Sequence, residues 1–102
     1  MTEIEKLDVA LTEMNIGHEH IIMPMGGGDM IVAYTGRFGT KYLFDVVCNE
    51  FSYGGKQGLL EAMGKWLVGN RDVHGWLTAD DVIELVKKKL EKDNIRKTTQ
   101  HE

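Results

Sequence analysis

His18 and His20 flank Glu19, and because a strand puts alternate residues on one face, the two imidazoles would stand about 7 Å apart. Imidazole ligates zinc, so a metal could bridge the pair. A zinc site needs a third ligand and an outer shell to orient it, and the side chains of suitable type, Cys48, Asp45 and His74, are not placed by spacing. The simpler reading is a pair of exposed histidines at a strand start. The alternative is a small metal- or ligand-binding protein using His18, His20 and Cys48 or the loop 70–81.

That loop, NRDVHGWLTADD, sets Asn70, Asp72, His74, Gly75, Leu77 and Asp81 at positions 1, 3, 5, 6, 8 and 12 of an EF-hand register. Calcium wants hard oxygen ligands, so the histidine at position 5 and the short Asp81 in place of a bidentate glutamate oppose it. The simpler reading is an interhelical turn in which Gly75 reverses the chain, Trp76 and Leu77 enter the core and Thr78 caps the next helix. No metal is expected, and the candidates in reserve are His18, His20, Asp72 and Asp81.

The stretch 46–66, VVCNEFSYGGKQGLLEAMGKW, raises phosphate binding, because a strand, paired glycines, a lysine and a helix in that order can cradle an anion. The Walker pattern needs Gly, four residues, then Gly-Lys-Ser/Thr, whereas GGKQG is compressed and has no hydroxyl after Lys56. A tight corner is preferred. In it Gly54 and Gly55 supply positive φ, while Gly58 and Gly64 let the following helix approach its neighbours. No cofactor is expected. Cys48 closes an apolar strand, where a buried structural thiol is the ordinary occupant, and Asp45 points to solvent between Phe44 and Val46. No catalytic residue emerges, so the chain does not read as an enzyme; Tyr53, Lys56 and Trp76 are the candidate contact residues.

Thr2 and Glu5 fit a capping box, and Ile4, Leu7, Leu11 and Met14 follow on one helical stripe with Gly17 as its stop. HEHIIM (18–23), MIVAY (30–34) and YLFDVV (42–47) read as strands, joined by glycine-rich connectors too short for parallel crossovers. Leu59, Ala62, Met63, Trp66 and Leu67 recur at helical spacing, and Thr78 with Asp81 caps a last helix whose stripe is Val82, Ile83, Val86 and Leu90. Lysines 87–89 then fall in its last turns. The reading is a single α+β domain, α-β-β-β-α-α, over residues 1–92. A three-stranded antiparallel meander is covered by helices on one face, and a flexible basic and polar tail spans 93–102.

With 102 residues the chain suffices for one core, and no apolar run approaches the roughly 18 residues of a membrane span. The first residues lack the basic start and apolar core of a secretion signal, and a lone cysteine forms no internal disulfide, so the cytoplasm of a host cell is the expected location. Residues 1–86 carry 13 Asp/Glu against 6 Lys/Arg, a net charge of −7, whereas residues 87–102 carry 3 against 6, a net +3. An acidic body repels nucleic-acid phosphates and argues against direct nucleic-acid binding.

The blocks DVVCNEFSYGGKQGLLEAMG and VHGWLTADDVIELV, within residues 41–90, resemble a group of small accessory proteins encoded by phages and prophages of Gram-positive bacteria. The resembling positions keep a fold and carry no assigned activity. The resemblance implies a phage origin and a non-enzymatic protein that binds a host or phage protein, with inhibition of a host defence component such as a CRISPR nuclease among its roles. Oligomeric state is not implied.

Overall fold

Helix α1 (Glu3–Glu13) begins where Thr2 Oγ1 accepts the Glu5 N–H at 3.2 Å and Glu5 Oε1 accepts the Thr2 N–H at 3.0 Å, closing the capping box. Its left-handed stop falls two residues before Gly17. Asn15 takes φ 58°, and the N–H groups of Asn15 and Ile16 bond back to the carbonyls of Thr12 and Leu11 at 3.1 and 3.0 Å. Asparagine tolerates that left-handed position, so this Schellman-type end releases Gly17 into the next strand.

The computed structural model describes residues 1–35, 41–69 and 73–100, with backbone alone at 35 and 94–100. Five strands, β1 (Gly17–Ile22), β2 (Asp29–Thr35), β3 (Lys41–Cys48), β4 (Leu60–Met63) and β5 (Val73–Leu77), form one antiparallel sheet in chain order. The α+β single domain is thus built on five strands where the sequence suggests three. Residues 60–63 are strand rather than helix: Leu60 and Ala62 are buried while Glu61 and Met63 are half-buried, a period of two. An apolar run this short carries either period, and here β3 offers a free edge, pairing Val46 with Ala62 and Val47 with Glu61. Gly64, at φ 118°, then turns the chain into the single-turn helix α2 (Lys65–Val68).

Residues 73–77, read from the sequence as turn, form the edge strand β5, and α3 (Ala79–Gln100) follows it. Thr78 and Asp81 cap α3 reciprocally at 2.9 and 3.1 Å. The helix continues to Gln100, past residue 93 where the sequence suggests a tail, so lysines 87–89 lie mid-helix rather than in its last turns. One sheet face carries Ile31, Ala33, Phe44, Val46, Leu60, Ala62 and Leu77 into a core completed by Ile4, Leu7 and Leu11 of α1 and Val82 and Val86 of α3. Trp66 of α2 stacks on Phe44 with centroids 6.0 Å apart, and its indole N–H donates to Asp93 at 3.1 Å. α1 and α3 are also joined directly, since the Ala79 N–H donates to Glu3 Oε1 at 2.8 Å. No described helix is long and apolar enough to cross a membrane.

Candidate functional site

His18 and His20 are not exposed at the strand start; their side chains are only 9% and 18% accessible, on the helix-covered face of β1. His18 Nε2 lies 2.6 Å from Asp8 Oδ1, and its Nδ1 lies 2.7 Å from the Ile16 carbonyl oxygen. His20 Nδ1 meets Asp8 Oδ2 at 3.1 Å, and His20 Nε2 meets Asp29 Oδ2 at 3.0 Å. Both rings are therefore held at both nitrogens, with α1 supplying one carboxylate and β2 the other. Asp8 is held below the usual carboxylate range chiefly by the His18 bond. His20 is pushed up: burial opposes this, but the bonds to Asp29 and Asp8 outweigh it.

The other metal candidates do not join them. Asp72 lies outside the described residues, and Asp81 is occupied in capping α3. His74 lines an open hollow of about 400 Å³ with Leu77, Asp81, Glu84, Leu85 and Lys88, between β5 and α3. Cys48 ends β3 opposite Asp29, and burial, with the Asp29 charge second, pushes its thiol up, so it is a poor nucleophile. Asp45 sits on the sheet face opposite the core, where it accepts from the Tyr42 hydroxyl. Among the described residues no three His, Cys, Asp or Glu side chains are placed to hold a metal ion.

The second feature is an apolar end of the sheet. Ile22 at the end of β1, Met23 and Met25 of the β1–β2 turn, Phe51 and Tyr53 of loop 49–59, and Trp76 of β5 are large apolar side chains left exposed, Met25 at 102%, Phe51 at 91% and Trp76 at 59%. Trp76 does not plug the core beside the buried Leu77; it takes φ 60°, uncommon for a bulky residue, and faces out. Three glycines join these segments. A Cβ on Gly28 would stand 2.6 Å from Asn49 Cβ, one on Gly54 3.0 Å from Trp76 Cα, and one on Gly75 would collide with Tyr53 Cβ. Gly75 thus lets β5 lie against the loop instead of reversing the chain, and the Trp76 N–H donates to the Tyr53 carbonyl at 3.1 Å.

The loop is internally built. Asn49 Oδ1 accepts the N–H groups of Phe51 and Ser52, both at 2.8 Å, and Glu61 Oε2 accepts the Tyr53 N–H at 2.6 Å. Gly54 has φ 87°, whereas Gly55 is needed because a Cβ there would collide with the Asn49 carbonyl. Gly58, at φ 77°, has open space around it, so it supplies a turn conformation and no close approach. Gly64 does approach a neighbour, since a Cβ on it would stand 2.9 Å from Phe44 Cα, but that neighbour belongs to a strand. Lys56 is exposed in a single 3₁₀ turn that leads into β4, so the strand–glycine–helix order needed to cradle a phosphate is not formed.

Of the sequence candidates, Tyr53 and Trp76 are brought together and Lys56 lies in the same loop. Asp8, Asp29, Ile22, Met23, Met25 and Phe51 were not singled out by the sequence. Asp8 borders the buried Ile4–Leu7–Leu11 stripe, which was the available signal for a carboxylate turned toward the sheet. No known protein family matches the chain, and no curated protein or solved structure is similar to it.

Proposed function

We propose that this protein acts by stoichiometric contact: its apolar sheet end, set in an acidic body, docks on a basic surface of a partner protein and occludes it. The observation that carries the reading is the convergence of Ile22, Met23, Met25, Phe51, Tyr53 and Trp76 from three chain segments onto one exposed end. Contiguous apolar patches on small domains mark interaction sites, and aromatic side chains rank among the residues that dominate binding energy. Residues 1–86, with a net charge of −7, favour a positively charged partner through steering and complementarity. The resemblance to phage accessory proteins makes a host defence component, such as a CRISPR nuclease, the first partner to test.

The test is a paired capture from lysates of Gram-positive hosts with the wild type and a Phe51→Ala/Trp76→Ala variant, followed by light scattering of the reconstituted complex. A partner held in fixed ratio by the wild type and lost by the variant is expected. No partner, or one that the variant retains, overturns the reading.

A further inference from the structure

We propose that the chain His18–Asp8–His20–Asp29 is a proton-operated latch between α1 and the β1–β2 hairpin, closed as a net-neutral cluster and opened at one contact by the loss of one proton. Hydrogen-bonding capacity fixes the number of protons the cluster holds. A carbonyl oxygen only accepts, so the 2.7 Å contact to Ile16 requires a proton on His18 Nδ1. The other three contacts, at 2.6, 3.1 and 3.0 Å, each join a ring nitrogen to a carboxylate oxygen, and each needs one proton between them. Four contacts therefore require four protons. Wherever each shared proton sits, that count equals two imidazolium rings and two carboxylates, with no net charge. With one proton fewer, a nitrogen lone pair faces an oxygen lone pair and that contact must open.

The surroundings sharpen the response. From α1 the charged groups facing the cluster are Asp8 and Glu5, which interacts electrostatically with His20; from β2 the group is Asp29. Cys48 of β3 lies near Asp29 and is kept neutral by burial and that charge. Among the described residues no lysine or arginine pairs with either aspartate, so the negative charge left by deprotonation has no local counter-ion. With His20 raised, its contribution is fully present below the ordinary histidine value near 6.5 and is lost as pH rises through the higher folded value. With Asp8 lowered, its contribution is present above the ordinary value and is lost only as pH falls through the depressed one. The latch is closed from mildly acidic to neutral pH and opens on the alkaline side. It does not depend on the binding proposal.

Two measurements test it. Side-chain imidazole NMR of the wild type between pH 5 and 9 should show all four ring nitrogens protonated at pH 6, with His20 losing its proton on the alkaline side. Amide protection factors in α1 should fall by at least roughly threefold from pH 6 to 8, against a ceiling of about tenfold per pH unit for one proton. His20→Gln keeps hydrogen-bonding groups but removes one of the two rings that share protons with Asp8, and its α1 protection should fall less steeply over this range than the wild type's. A neutral ring at pH 6 in the wild type, or the same pH slope in His20→Gln, overturns the latch. If that variant does not fold, the wild-type NMR result alone decides.

Discussion

The two edges of the sheet are secured by opposite means. At the β1 edge, side chains do the joining: two histidines and two aspartates bind α1 to the hairpin, and all four ring nitrogens are used within the fold. At the β5 edge, backbone meets backbone through Gly54, Gly55 and Gly75, where side chains have no room, and the neighbouring aromatics are turned out. The difference teaches which residue types are free to meet a partner. Histidines that look chemical are consumed in holding structure, while Trp76, whose apolar character suggests a core position, is exposed.

The largest expected effect tests the glycine-secured edge. Gly55→Ala would drive a methyl group into the Asn49 carbonyl, and relief requires moving the loop that seats Tyr53 against β5. A loss of about 3 kcal/mol is expected in urea unfolding, the upper part of the usual overpacking range. At the other edge, Asp8→Ala removes the acceptor shared by two half-buried imidazoles and should cost about 1.5 kcal/mol, the aspartate being partly solvated. If Asp8→Ala proves the more damaging, the comparison fails, because side-chain bonding would then matter more than backbone fit.

The same contrast explains how much was legible in the sequence. α1, the first three strands and the α3 cap announce themselves through local pattern: Thr2 with Glu5, alternating apolar residues, and Thr78 with Asp81. β4 and β5 do not. Leu60–Met63 is four residues long and fits a helix as well as a strand, and only the free edge of β3 decides between them. Val73–Leu77 carries Gly75 at its centre, which by local preference signals a turn. The histidine cluster needs contacts 10 and 12 residues apart in sequence, and the apolar end needs three segments brought together by glycine contacts. Both are facts of register, which one sequence does not display.

A smaller effect probes the seam between α1 and α3, the helices that cover the face shared by both edges. Glu3 lies below its usual range, first because of the Ala79 N–H and then because of Lys6. A depressed carboxylate contributes stability that is present above its ordinary value of 4.5 and lost as pH falls through the lower folded value. Glu3→Gln can still accept the Ala79 N–H but carries no charge. Its thermal midpoint should drop slightly at pH 7, by an amount equivalent to about 1 kcal/mol or less. The wild type and the variant should converge as pH falls below 4.5 through the lower folded value, and curves that stay parallel all the way to acid unfolding would show that the charge contributes nothing.

The smallest effect on stability should accompany a large effect on binding, at Phe51. Its ring is 91% exposed, so truncation removes little buried area, and the backbone N–H that bonds Asn49 Oδ1 at 2.8 Å is untouched. Phe51→Ala should therefore change unfolding free energy by less than about 0.5 kcal/mol. An aromatic ring at the centre of a contact loses far more when removed, because the partner pocket it filled is left empty; a drop in affinity of at least about tenfold is expected at such an anchor. The reverse outcome, lost stability with undiminished affinity measured by calorimetry against the captured partner, would place Phe51 in the fold and move the contact surface away from this end of the sheet.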